Sequence, residues 1–332
     1  MILLPMGSQS GTKNEKSNML GDKIIMNIDR YNDLERIAKI VLQKNLNRAF
    51  QVRGEQNNNW VFITEGDEYL VKFTTKEEFK RLETEAALTK LMGDSAGVPV
   101  PKIIHIGEYD GEYYMIRTLL KGESLGEVLN QGMIKVLGED GIGTMIFEAG
   151  QALAKLHKVS FNKKGLIHKD LNVVEYNIFS KEEFMSFLNT VYEFKCVTEE
   201  QYTYLNNIDI DDIYSGEFVL CHCDYAPNNM LVCNGHLSGI IDYEWASAAP
   251  CYDDIAAFQV FMKMYDMEQF IEYFYSGYKS VKSIPEKYFD NIHIYKLYRV
   301  ITMLACQLNQ PEDRQLKEFK EDCIKLLEEL MI

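Results

Sequence analysis

The rhythm of apolar and polar positions changes near residue 122. Before it, period-two runs dominate. Residues 48–54 and 59–64 flank a polar tip, Gly54-Glu-Gln-Asn-Asn-Asn59, and 68–73 ends in Val71-Lys72-Phe73. Such alternation predicts half-buried strands. Segments 102–107 and 112–118, joined by Asp110-Gly111, read as an antiparallel hairpin. Two helices accompany them. One starts at Asp29, read as its N-cap, with Leu34, Ile37, Ala38 and Val41 on one face; the other runs from Lys76 to Met92 with a Phe79, Leu82, Ala86, Leu91 stripe.

After Lys121-Gly122 a helical period takes over, in 142–158, 252–265, 285–308 and 311–331. One strand–loop–strand island, Phe218 to Tyr243, interrupts it. Strands first and helices afterwards predict an α+β chain of two lobes, a small antiparallel sheet lobe with an inserted helix and a larger helical lobe. The expected division is a disordered leader over 1–25, a first lobe over 26–120 and a second over 121–332, with Met26 a candidate natural start. A length of 332 residues, about twice a typical domain, agrees with two lobes.

Composition narrows the partners. The chain carries 50 acidic and 35 basic residues, a net charge of −15. That surface repels phosphate backbones and anionic lipid, so neither nucleic acid nor a membrane surface is expected. It suits a cationic small molecule, or serves solubility alone. No apolar run is long enough to span a bilayer, and Met1-Ile-Leu-Leu-Pro-Met6 is too short for a signal-peptide core. The seven cysteines show no pairing framework, which points to a reducing, cytoplasmic setting.

Two apparent motifs fail on inspection. Gly7-Ser-Gln-Ser-Gly-Thr-Lys13 mimics a phosphate-binding loop but is one residue short, inverts Lys and Thr, and follows no strand. Cys221-His222-Cys223 reads as a metal cluster only until side-chain alternation on a strand is considered. Residues 221 and 223 would share one face and 222 the other. Small buried side chains around a functional His222 are the better reading.

The island itself reads Glu217-Phe-Val-Leu-Cys-His-Cys-Asp-Tyr-Ala-Pro-Asn-Asn-Met-Leu-Val232, then Gly239-Ile-Ile-Asp-Tyr-Glu-Trp-Ala246. It offers His222-x-Asp224, Asn229 five residues beyond that Asp, and Asp242 closing an apolar strand. Phosphoryl transfer asks for a carboxylate beside the attacking hydroxyl, and for an oxygen ligand and a second carboxylate to hold Mg²⁺ against nucleotide phosphates. His168-Lys-Asp170 repeats the first dipeptide spacing. Five residues past Asp170 stands Glu175, eighteen past it Leu188, and no apolar strand leads in.

Segment 222–229 resembles the catalytic loop of the aminoglycoside phosphotransferase and choline kinase superfamily, itself similar to that of protein kinases. The resemblance implies a protein-kinase-like fold and an ATP- or GTP-dependent, Mg²⁺-dependent kinase of a small hydroxylated molecule. It makes Asp224 the catalytic carboxylate, Asn229 and Asp242 the metal ligands, and His222 a support of the loop. Asp254, in Asp253-Asp254-Ile-Ala, would brace the loop's backbone.

In the first lobe, then the nucleotide-binding one, Lys72 matches the lysine that contacts the α- and β-phosphates, and Glu85 the helix glutamate that pairs with it. Glu83 is the competing partner. Thr118-Leu119-Leu120 resembles the linker whose backbone groups bind adenine, with Thr118 and Leu120 as contacts. Arg117 stands where the family usually carries an apolar residue. The glycine triplet of protein kinases is absent, with only Gly54 in the turn, which argues against a protein substrate.

Resemblance and acidity together favour an aminoglycoside acceptor, whose ammonium groups need carboxylates. Glu193, Glu199, Glu200, Asp209, Asp211 and Asp212 are the candidates. Choline or amino-alcohol kinases, with Tyr243 and Trp245 caging a quaternary ammonium, and macrolide kinases are the alternatives. So is a catalytically silent kinase-like binding protein. Oligomeric state has no signal in the sequence.

Overall fold

The computed structural model describes residues 28–52, 58–130, 134–308, 310 and 314–331. The expected leader, the phosphate-loop mimic and most of the polar tip after residue 52 lie outside these residues.

Five strands build the first sheet: β1 (Leu46–Val52), β2 (Asn58–Thr64), β3 (Glu68–Thr74), β4 (Ile103–Tyr109) and β5 (Glu112–Thr118), in spatial order β1-β2-β3-β5-β4 and antiparallel throughout. Alternation decides its two faces. Phe62, Val71, Tyr114 and Ile116 pack under α1 (Ile28–Ile37) through Leu34, Ile37 and Ala38. The helix begins at Ile28, so Asp29 lies inside it rather than capping it. The other face takes α2 (Phe79–Leu91), whose Leu82 and Ala86 bury Met115. Farther along α2, Leu88 and then Met92 enter the main core of the second lobe. One helix therefore spans both cores, which fixes the angle between the lobes where the cleft lies.

The second lobe is mainly helical: α3 (Leu125–Asn130), α4 (Ile134–Leu156), α5 (Lys181–Glu193), α6 (Glu199–Asn206), α7 (Ile210–Ile213), α8 (Tyr252–Met264), α9 (Ile271–Lys279), α10 (Glu286–Asp290), α11 (Ile292–Leu308) and α12 (Arg314–Leu330). Helix α4 starts eight residues earlier than the pattern predicts, across a break at Gly138 (φ 69°). The expected helix 285–308 is divided at Asn291, which leaves helical geometry (φ −121°). Helices α4 and α9 meet backbone to backbone. A Cβ on Gly150 would lie 2.1 Å from the Phe274 carbonyl oxygen, and one on Gly277 1.9 Å from that of Phe147. Only glycine permits that approach.

Eight short strands complete the lobe in two small sheets: β6 (Glu123–Ser124), β7 (Ser160–Phe161), β8 (Gly165–Ile167), β9 (Val173–Glu175), β10 (Phe218–Cys221), β11 (Met230–Cys233), β12 (His236–Ile240) and β13 (Ser247–Ala249). One sheet runs β7-β10-β13-β8-β9 and the other β12-β11-β6. The island of the sequence thus feeds two sheets, and its loop bridges them. This is the two-lobed α+β architecture expected. No helix among the described residues is long and apolar enough to cross a membrane.

Candidate active site

Strand β10 ends at Cys221 because Asp254 ends it. This residue, in the first turn of α8, accepts the backbone N–H of His222 at 2.7 Å and of Cys223 at 2.8 Å. Two successive amides turned onto one carboxylate cannot continue a ladder, and Cys223 adopts φ 61°. The strand-face argument about residues 221 and 223 therefore does not apply: Cys223 is past the strand. Cys221 instead donates its thiol to the Ala249 carbonyl. Asp254 is fully buried, which pushes its pKa up. His157, hydrogen-bonded at 3.1 Å, and His222 outweigh that and hold it below the usual carboxylate range. The other nitrogen of His157 meets the Tyr278 hydroxyl at 2.8 Å. His222 reaches across the loop, donating from Nε2 to the Ile241 carbonyl at 3.0 Å, one residue before Asp242.

Asp224 is 4% exposed. Its Oδ2 accepts from Asn229 Nδ2 at 2.9 Å, and the same nitrogen reaches the Asp224 backbone carbonyl at 2.9 Å. Its Oδ1 accepts from Arg299 Nη2 at 3.0 Å. Burial raises the Asp224 pKa, and the guanidinium works against that rise. Arg299, fully buried on α11, also donates to the Cys223 carbonyl at 3.0 Å and lies 3.5 Å from Asp253 Oδ2. Burial pushes Asp253 up to about 7 against that same guanidinium. Arg299 was not among the residues the sequence singled out. Its only signal was a charge inside the apolar face of a helix, between Tyr295 and Thr302.

The Asn229 nitrogen is committed to Asp224, which leaves its Oδ1 without a donor among the described residues. Ile241 N–H bonds the Asn229 carbonyl at 3.0 Å, extending the β11–β12 ladder and setting Asn229 beside Asp242. Asp242 sits in left-handed geometry (φ 69°), with its side chain 39% exposed.

Facing it, Lys72 on β3 bonds Glu85 at 2.8 Å, Glu244 at 3.0 Å and Asp242 at 3.3 Å. Burial alone would lower the lysine's pKa. Glu85, Asp242 and Glu244 reverse that and hold its pKa above the ordinary value, so it stays a cation. Asp242 is held low in turn: burial pushes it up, and Lys72, Arg117 and His222 outweigh this. The structure pairs Lys72 with Glu85, whereas Glu83 bonds Lys169 at 2.6 Å. Glu244 completes the group and was missed by the sequence reading. Carboxylate oxygens of Glu85, Asp242 and Glu244 lie within 4.8 Å of one another. Carboxylate oxygens, and an amide oxygen such as that of Asn229 on the neighbouring ladder, are the hard donors that Mg²⁺ takes.

Among the described residues one cavity, about 590 Å³, is lined by Lys72, Leu82, Glu85 and Glu244 themselves, and two more flank the group. The first of these, about 610 Å³, lies under the sheet; Val61, Leu70, Leu120, Leu231 and Ile241 form apolar walls, with Arg117, Thr118, Glu123, Glu127 and Asn130 also lining it. The Thr118 N–H is committed to the Lys102 carbonyl at 2.9 Å and that of Leu119 to Glu68 at 3.0 Å.

The second cavity, about 560 Å³, opens beside Cys223 and Arg299. Leu166, Ile178, Phe187 and Tyr298 line it with Glu183, Glu244, Asp253, Lys80 and Arg81. Glu193, Glu199, Glu200, Asp209, Asp211 and Asp212 are exposed and none lines it. Two of them head α6 and Asp209 caps α7. Tyr243 and Trp245 form no cage. They sit on a 3₁₀ turn, Tyr243 is buried against the His222 ring at 4.9 Å, and Arg81 covers the Trp245 ring at 4.3 Å.

Sheet lobe, helical lobe, and a carboxylate loop facing a paired lysine define a kinase-like phosphotransferase. The phosphotransferase enzyme family matches residues 50–282, and the chain belongs to that family. Its enzyme class is that of the small-molecule kinases. Among solved structures, a mutant of aminoglycoside 2′-phosphotransferase-IIIa in complex with GDP is similar at TM-score 0.65 and 17% identity, covering 91% of this chain and 96% of that one. A thermostable mutant of aminoglycoside phosphotransferase APH(4)-Ia gives TM-score 0.62 and 16% identity, covering 89% and 98%. A putative fructosamine-3-kinase from Haemophilus somnus 129PT gives 0.59 and 14%, covering 90% and 97%. These likenesses establish the fold. No curated protein sequence matches the chain significantly.

Proposed function

We propose that this protein transfers the γ-phosphoryl group of ATP or GTP to a hydroxyl of a small molecule, with Asp224 as the catalytic carboxylate. The observation that carries this is Asn229. It grips Asp224 through nitrogen, and the ladder sets it beside Asp242, so one amide couples the hydroxyl-orienting group to the metal-holding pair. Asp224 accepts the hydrogen bond of the acceptor hydroxyl and aligns it with the γ-phosphorus. The new P–O bond forms as the bond to the β-phosphate oxygen breaks, and the hydroxyl proton passes late to Asp224. Arg299 favours the ionised carboxylate that this requires. Lys72 offers its charge to phosphate oxygens. Mg²⁺, held by Asn229 and Asp242, would neutralise phosphate charge. His222 and Asp254 keep the loop in place.

Two acceptor classes follow. The named activities of the fold neighbours support an aminoglycoside. The cavity beside Cys223 supports a hydroxylated molecule with an apolar body, as in macrolides. Its walls are largely apolar and aromatic, and its carboxylates are engaged: Glu183 by Tyr298 at 2.7 Å, Glu244 by Lys72, Asp253 by Arg299. An amino-alcohol lacks the aromatic cage it would need.

The test is turnover of Mg²⁺–ATP and Mg²⁺–GTP against aminoglycosides, macrolides and choline. Asp224→Ala retaining most of the activity, or Asp242→Ala keeping the normal metal requirement, overturns the assignment. A protein that binds Mg²⁺–nucleotide in thermal shift but never turns over supports the silent reading instead.

A further inference from the structure

Among the described residues that line the cavity under the sheet, Arg117 is the one cation; Glu123, Glu127 and Asn130 line its mouth. Arg117 stands on β5 between Leu70 of β3 and Ile103 of β4, in the middle of the sheet. The side chain is 9% exposed and faces the cavity walled by Val61, Leu70, Leu231 and Ile241. Among the described residues no acceptor lies within hydrogen-bonding or ion-pairing distance of its guanidinium. Glu85 and Asp242 feel its charge only from farther away. A guanidinium on a cavity wall with five donors and no protein acceptor can turn its fork to a ligand that enters the cavity.

We propose that Arg117 selects the base of the nucleotide, favouring a 6-oxopurine (guanine or hypoxanthine) over adenine. This rests on the kinase reading above. The apolar walls fit the faces of a purine, and the guanidinium meets its edge. Arginine has donors only. Guanine and hypoxanthine present two adjacent acceptors there, O6 and N7, which match the fork of a guanidinium. Adenine presents an amino group in place of O6, setting donor against donor. A buried donor left unmatched discriminates more strongly than a missing apolar contact does.

The rival role is purely internal, with Arg117 neutralising Glu85 and Asp242. The two roles part on base preference. Calorimetric titration of the full chain with ADP, GDP and IDP, each with Mg²⁺, is the experiment. GDP and IDP are expected to bind roughly tenfold to a hundredfold more tightly than ADP, the discrimination typical of a bidentate arginine contact. IDP matches GDP because the 2-amino group is not what is read. Arg117→Met brings the three affinities together, chiefly by weakening GDP and IDP. Arg117→Lys, which keeps the charge beside Glu85 and loses the fork, retains a smaller preference.

ADP binding as tightly as GDP, or a preference unchanged in Arg117→Met, overturns the inference. The wild-type comparison decides even where a variant does not fold. ADP preference with Asp224-dependent transfer intact removes this inference alone; absence of binding by all three nucleotides removes the kinase reading with it.

Discussion

The chain contains His-x-Asp twice, and the two copies have opposite surroundings. At His222-x-Asp224 a buried carboxylate grips the loop's amides, and a guanidinium and an amide hold Asp224. At His168-x-Asp170 the aspartate is exposed and accepts from Asn172, through the backbone N–H at 3.2 Å and the side chain at 2.8 Å. It closes the turn between β8 and β9, with Leu171 at φ 64°. The second aspartate serves its own hairpin; the first is held by Asn229 and by Arg299 from a distant helix, on a loop that Asp254 of another helix grips. A dipeptide spacing is chemically silent until distant residues immobilise it.

Substitutions test that contrast. Asp224→Ala is expected to lower kcat by about 10²–10⁴, the usual worth of general-base help, in steady-state phosphotransfer. Asp254→Ala leaves two loop amides and His157 without their acceptor. A loss of about 3 kcal/mol in denaturant unfolding is expected, typical of breaking a buried network. Arg299→Met removes the charge that opposes the burial-driven rise of the Asp224 pKa. The acid limb of the kcat/KM profile moves to higher pH, and the neutral-pH rate falls on the order of tenfold, as for a lost charge-assisted hydrogen bond.

Asp253→Asn gives a subtler signature. The folded protein holds the Asp253 proton up to about 7, well above the unfolded carboxylate range. Its stabilising contribution is therefore present at low pH and is lost as pH rises through about 7. The melting temperature of the variant should gain on the wild type from about pH 4 to about pH 7 and level off above that; a constant difference would show that Asp253 does not titrate there. The smallest effect belongs to the decoy. Asp170→Ala should leave turnover within about twofold, since exposed turn positions rarely reach the chemistry.

Much of this was legible in sequence because it is local. Asp224, Asn229 and Asp242 fall within nineteen residues of one another, and strands leading into Asp224 and Asp242 and out of Asn229 fix their spacing. The first sheet was legible for the same reason: six- or seven-residue alternation registers clearly, and the structure moves its strand ends by two residues or fewer. Arg299 was not legible, because it reaches Asp224 from 75 positions away. The strands β7, β8, β9 and β13 were also missed. Two or three residues are too few to show a period. The acceptor carboxylates failed for another reason. Helix termini and caps attract acidic residues for their own sake, so charge in a helical lobe says little about a pocket.

The threefold pairing of Lys72 has a final consequence. Its charge is already balanced across the gap between the lobes, by Glu85 from one side and Asp242 and Glu244 from the other. A polyanion arriving there meets a closed circuit rather than a vacant hook, and occupancy must proceed by substitution, one oxygen displacing another. On the proposed reading, the tie between the lobes is complete before a nucleotide arrives, and its loosening belongs to the binding step.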